Sequence, residues 1–178
     1  MVMFRRLLLN CWKHHFGRGS YILPISKVRE YLRKWKRDAD ILEFETSSAT
    51  VELAAETLSV EPARIAKTIA FKNGKETILV VTAGDTKIDN AKFKKEFGFK
   101  AKMLAPDEVL AATGFAVGGE CPFGINNNIP VYLDISLKRF DAIFPACGSS
   151  NSAIQLTCSE LEEYSYGKRW VDVCKNWL

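Results

Sequence analysis

Two short stretches and one lysine hold the residue types that could do chemistry. The first stretch, Ala116-Val117-Gly118-Gly119-Glu120-Cys121-Pro122-Phe123-Gly124, sets three glycines around a proline. Glycine lets a backbone approach a ligand closely and proline stiffens the turn, so the loop can offer bare N–H groups to a carbonyl or an oxyanion. In isolation it also reads as a tight connection between a helix and a strand. The second stretch, Cys147-Gly148-Ser149-Ser150-Asn151-Ser152, is small and polar. Its composition is that of a hairpin turn, and a phosphate or ribose site there lacks both the Walker spacing and the GxGxxG pattern. Lys67 falls just before the apolar run Thr68 to Phe71, at the expected end of a helix entered through Pro62. There it either complements the negative end of the helix dipole or directs a cation into a pocket to hold a phosphate or an ester carbonyl.

What is missing narrows the chemistry further. The only histidines, His14 and His15, sit near the N-terminus, so the rest of the chain has no Ser/His or Cys/His nucleophilic pair. Cys121 lies between a glycine loop and a proline but has no histidine to activate it as a nucleophile. The five cysteines are odd in number and form no CxxC pair, which fits neither a disulfide framework nor a zinc ligand set and suits a reducing cytoplasm. Asp85, Asp89 and Asp134 read as turn and capping residues. No metal and no cofactor are expected.

The elements that must position these residues come from a chain of 178 residues, 47% hydrophobic and 26% charged, the range of one domain with a full core. Apolar runs such as Thr77 to Ala83 have a strand's length and not that of a membrane span. All four basic residues of the first 23 positions, Arg5, Arg6, Lys13 and Arg18, are unopposed by any acid, so the remainder is formally neutral. Residues 1–23 are read as a basic extension and residues 24–178 as the domain. Ile25, Val28, Leu32 and Trp35 recur at helical spacing, opposite a face of Lys27, Arg29, Arg33, Lys34, Lys36 and Arg37. A short strand is expected over Ile41 to Phe44, and a helix over Val51 to Leu58 capped by Ser48 or Thr50. Thr68 to Lys72, Asn73-Gly74 and Glu76 to Ala83 spell a hairpin with a type I′ turn. Further helices are expected from Asp89 to Phe97, stopped by Gly98, from Pro106 to Thr113, stopped by Gly114, and from Ser159 to Tyr164. Short strands fill Lys102 to Leu104, Pro130 to Ile135, Ala142 to Ala146 and Ala153 to Thr157, and Trp170 to Cys174 is a last strand or packing arm. Strands joined partly by hairpins and partly by single helices make an α+β fold with a mixed sheet.

In that order the segments resemble the YbaK/EbsC family of aminoacyl-tRNA deacylases, which is similar to the editing insertion of bacterial prolyl-tRNA synthetases. The resemblance covers Ile25 to Leu178. It rests on Ala49-Thr50-Val51-Glu52-Leu53-Ala54-Ala55, Arg64-Ile65-Ala66-Lys67-Thr68, Val80-Val81-Thr82-Ala83-Gly84-Asp85, Thr113 to Gly119 with Cys121-Pro122-Phe123-Gly124, and Gly148-Ser149 with Asn151-Ser152. It implies a mixed sheet curled into a partial barrel with flanking helices, and hydrolysis of the ester joining a mistaken amino acid to tRNA, tRNA-Pro types foremost. It makes Lys67 the central site residue and lays the loop matching Gly118 to Pro122 against the aminoacyl end. In this scheme Gly118 and Gly119 hold the carbonyl region and Lys67 anchors the terminal phosphate or the carbonyl. Ser48, Thr50 and Thr68 shape the amino-acid pocket, with Cys121, Pro122, Phe123, Gly148 and Asn151 as further substrate contacts. Ala153 stands where a cysteinyl-specific branch carries an acidic residue.

The partners implied are the acceptor end of an aminoacyl-tRNA and an aminoacyl-tRNA synthetase, with no membrane. Two basic groups offer phosphate contacts: Arg29, Arg33, Lys34, Lys36 and Arg37, and Lys87, Lys92, Lys94, Lys95, Lys100 and Lys102. A module that captures aminoacyl-adenosine or RNA ends without turnover, and a regulatory protein with a disused pocket, are the competing readings.

Overall fold

The computed structural model of the protein describes residues 24–125 and 129–177; the stretch read as a basic extension, residues 1–23, lies outside them. The chain enters through α1 (Pro24–Leu32), whose apolar stripe faces inward, with Val28 and Leu32 fully buried. A 3-10 turn, Arg33–Trp35, ends it where Lys36 takes a left-handed φ of 58°. The short β1 (Leu42–Glu43) follows, then α2 (Val51–Leu58). The Thr50 hydroxyl accepts the Leu53 N–H, meeting a donor that the first turn of α2 leaves unpaired.

β2 (Ile65–Asn73) and β3 (Glu76–Ala83) form the expected antiparallel hairpin. Its turn differs from expectation. Asn73 pairs with Glu76, which leaves Gly74 and Lys75 as the loop, and only Gly74 has a positive φ, 63°. That is the type II′ pattern, because type I′ needs positive φ at both central residues. The Pro62 helix is also shorter than expected, a single 3-10 turn over Pro62–Arg64, and the strand begins at Ile65. Lys67 therefore lies inside β2, opposite Thr82, and the helix-dipole reading of it is overturned. The cause is a period of two: Ala66 and Ala70 enter the main core while Ile65 and Phe71 join clusters on the other side, an alternation that only a strand provides.

The remaining elements are β4 (Lys87–Ile88), α3 (Asn90–Phe97), α4 (Pro106–Thr113), β5 (Val131–Asp134), β6 (Phe144–Pro145), β7 (Ser152–Ala153), α5 (Cys158–Tyr164), β8 (Trp170–Val171) and β9 (Cys174–Lys175). The Asp89 carboxylate accepts the Ala91 and Lys92 N–H groups at the start of α3, and Gly98 and Gly114 close α3 and α4 with φ of 81° and 82°. α5 starts one residue earlier than expected, because Thr157 and Glu160 cap it reciprocally. The expected Lys102 to Leu104 strand is reduced to the Phe71↔Met103 bridge, and the last strand is split into β8 and β9.

The central sheet runs β6-β2-β3-β5-β8. β2 and β3 are antiparallel, and the other neighbours are parallel, so the sheet is mixed. Bridges Ile143↔Leu156 and Ala146↔Ala153 carry the pairing on from β6 to β7, and β7 pairs with β1. The result is a partial barrel with flanking helices. Its main core holds Leu79, Val81, Phe115, Phe123, Leu133 and Leu137. On the other face of the hairpin, Phe71, Val80 and Phe93 build a cluster beneath α3, and Ala54, Ala55, Ile65 and Phe144 build a smaller one beneath α2. Ile65 belongs to the α2 cluster and Ile69 packs on the α3 cluster, so Lys67 comes out between the two.

Candidate active site

The site begins at an interruption in the pairing of β2. β6 meets β2 only at Ile65 and Ala66, and the next bond on that edge is the Leu104 N–H to the Ala70 carbonyl, 3.0 Å. Main-chain groups alternate in direction along a strand, so the N–H and C=O of Thr68 face the gap. A cleft of about 210 Å³ lies along it. Its walls are Ile65 to Ile69 of β2, Ser48 to Val51 and Ala54 at the entry to α2, Val117, Gly118 and Glu120 of the first glycine loop, and Phe144, Ala146 and Ser152.

Lys67 lines the cleft, and its ammonium donates to the carbonyls of Gly84, at 2.9 Å, and Thr86, at 2.6 Å. An ammonium has three donors, so two are held by the turn after β3 and one is left. Burial lowers its pKa, opposed by Cys174, Asp85 and Glu52. That turn is itself fixed: a Cβ on Gly84 would lie 2.2 Å from the Pro62 carbonyl oxygen and 2.6 Å from Val51 Cγ1.

The two glycine loops and the segment before α2 pack directly on one another. A Cβ on Gly118, where φ is 90°, would meet Ala49 Cβ at 2.9 Å, and one on Gly119 would meet the main chain of Ser149 at 2.8 Å. Gly118 faces the cleft. Gly119 is buried, and its N–H donates to the Ala116 carbonyl, 3.0 Å, so it braces the turn instead of supplying the second oxyanion donor expected of it.

Five other expected contacts also stand behind the walls. Cys121, Pro122 and Phe123 are buried, with Cys121 and Phe123 in the main core. Burial pushes the Cys121 thiol up to about 12, and it donates to the Phe123 carbonyl. Gly148, at φ 88°, packs on Pro24 and Phe115, and Asn151 Nδ2 donates to the Phe44 carbonyl at 2.8 Å. These residues hold the loops in place. Ser48, Thr50 and Thr68 do line the cleft. The Ser48 hydroxyl donates to the Ser150 carbonyl, whereas Thr68 Oγ1 is buried and has no hydrogen-bond partner among the described residues.

Glu120 is a cleft residue that the sequence alone does not single out. It lines the cleft, its Oε1 is buried and without a hydrogen-bond partner among the described residues, and burial pushes its carboxyl up to about 7. The signal available was a lone acid within a glycine-rich loop, where a carboxylate is ordinarily solvated. Among the described residues no group of three His, Cys, Asp or Glu side chains is placed to hold a metal ion, and no helix is long and apolar enough to cross a membrane.

The arginines of the first basic group are paired with acids, while its Lys34 and Lys36 are exposed. Arg29 pairs with Glu43, Arg33 with Glu30 and Asp38, and Arg37 with Asp40 and Glu160. In the second group Lys92 pairs with Asp172, while Lys87, Lys94, Lys95, Lys100 and Lys102 are exposed.

The sequence profile of the aminoacyl-tRNA editing domain family matches residues 45–164. The uncharacterized protein YwhH of Bacillus subtilis (strain 168) is 56% identical over 156 residues, 87% of this chain and 99% of that protein. A candidate Cys-tRNA(Pro)/Cys-tRNA(Cys) deacylase, EbsC of Enterococcus faecalis, is 29% identical over 130 residues, 72% of this chain and 74% of that protein. Among solved structures, a candidate trans-editing enzyme for prolyl tRNA synthetase superposes with a TM-score of 0.79 at 26% identity, covering 88% of this chain and 100% of that one.

Proposed function

The chain belongs to the aminoacyl-tRNA editing domain family, as a relative of the YbaK/EbsC deacylases, and from that premise we infer that it hydrolyses mischarged aminoacyl-tRNA in trans, with tRNA-Pro types foremost. One observation carries the reading: Lys67, Gly118 and the open main-chain edge of Thr68 share a single cleft.

An aminoacyl ester is already activated. The site has to hold the carbonyl, admit water to its carbon with a neighbouring ribose hydroxyl free to orient that water, and stabilise the negative charge that grows on its oxygen. The Thr68 and Gly118 amides and the remaining Lys67 hydrogen are the donors available for that charge. One such donor is worth roughly 3 kcal/mol, and alignment of the attacking oxygen adds to it. The ribose oxygen then leaves with a proton, and free amino acid and tRNA are released. Exposed Lys87, Lys94 and Lys95 give the acceptor stem a phosphate-binding face; the arginines of the first basic group are already paired. A synthetase that hands over the charged tRNA is the second partner, and the cytoplasm is the setting.

The test is a deacylation screen over tRNAs charged with alanine, cysteine, serine and threonine, run with the wild type and Lys67→Ala. At least one charged tRNA is expected to lose its amino acid, and the variant is expected to be slower by about a hundredfold, the scale of one lost oxyanion donor. Binding of charged tRNA without any release would instead identify a capture module, and full activity in Lys67→Ala would remove that residue from the chemistry.

A further inference from the structure

The hydrolytic scheme leaves Glu120 without a task. Its Oε1 and Thr68 Oγ1 are both buried, both lack a hydrogen-bond partner among the described residues, and both residues line the same cleft. Buried polar atoms are nearly always paired, and leaving one unpaired is destabilising. Two of them at one largely apolar cleft point to a ligand that brings the missing donor. Lys67 is not that donor: its ammonium is drawn to the carbonyls of Gly84 and Thr86, and the carboxylates that act on it are Asp85 and Glu52.

On the deacylase reading, on which this inference rests, every substrate brings one cationic donor whatever its side chain. That donor is the α-ammonium group, two bonds from the ester carbonyl carbon. Thr68 and Gly118 are the residues whose amides would receive the carbonyl. Thr68 also carries one of the orphaned acceptors, and Glu120 follows Gly118 by two positions in the same loop. A carboxylate accepting from a cation forms one of the stronger hydrogen bonds available to a protein. We propose that Glu120, together with Thr68 Oγ1, receives the substrate's α-ammonium group, so that the cleft selects esters of free α-amino acids over esters of hydroxy acids and of N-acylated amino acids. Glu120 is then a specificity-determining residue that acts whichever amino acid is being removed.

The test uses two non-hydrolysable probes, 3′-deoxy-3′-(alanylamino)adenosine and its des-amino counterpart 3′-deoxy-3′-(propanoylamino)adenosine, titrated calorimetrically into the wild type and Glu120→Gln. The wild type is expected to prefer the alanyl probe by about thirtyfold, the scale of a charge-assisted hydrogen bond. In Glu120→Gln the preference is expected to shrink to about threefold or less, with the propanoyl affinity unchanged, which also shows that the variant is folded. Equal binding of the two probes by the wild type, or a preference that survives in Glu120→Gln, overturns the role of Glu120 and leaves the deacylase reading standing. Failure of both probes to bind, alongside a deacylation screen with no product, overturns both.

Discussion

A carboxyl group that keeps its proton up to about pH 7 in the folded protein, as burial makes Glu120 do, releases it near its ordinary 4.5 once the chain unfolds. Between those two values the folded state holds more protons than the unfolded one, so this group lowers stability as pH rises and adds nothing further above 7. The full effect is at most about 3 kcal/mol. Glu120→Gln has no proton to lose. Its melting temperature is expected to match the wild type at pH 4.5 and to exceed it by about 5 °C at pH 8, measured by calorimetry. Equal shifts at both pH values would show that the carboxyl is solvated and would weaken its assignment to a ligand. A group that costs stability where the protein works is the pattern expected of a binding residue.

At the scale of elements, the contact between the two glycine loops sets the shape of the cleft. Gly119 does not need glycine for its backbone angles; it needs it because Ser149 leaves no space for a methyl group. Gly119→Ala is expected to cost about 1–3 kcal/mol from overpacking and to reduce deacylation by displacing Gly118. Gly98→Ala, at φ 81° but with open space around it, is expected to cost only about 1 kcal/mol and to leave activity intact. Denaturant midpoints and rates for the pair would separate packing from backbone strain. Elements with local signals were legible in the sequence: α2 and α3 start where Thr50 and Asp89 mark them, and α3 and α4 stop where Gly98 and Gly114 do. Lys67 reads from sequence as the end of a helix, because Pro62 and the alanines after it carry helical signals that the sheet overrides. Glu120 was illegible for a different reason. Its burial arises where the loop meets β2 and the entry to α2, and no stretch of sequence around it contains that information.

For the molecule as a whole, charge is arranged more tellingly than its net value of +4. The arginines of the first basic group pair with acids of the same chain, whereas most lysines on and around α3 are exposed. Binding of charged tRNA is expected to weaken steeply with salt, and Lys94→Glu with Lys95→Glu is expected to flatten the slope of log affinity against log salt by about 1 to 2. Lys34→Glu with Lys36→Glu should leave that slope unchanged, and the reverse outcome would place the acceptor stem on the basic turn that follows α1. The walls of the cleft bear on engineering as well. They run from Ser48 to Ser152 and draw on five separated stretches of chain, so no loop can be excised and grafted elsewhere with its selectivity intact. Transplanting the activity means moving the sheet that carries it, and changing the activity means redesigning side chains in place.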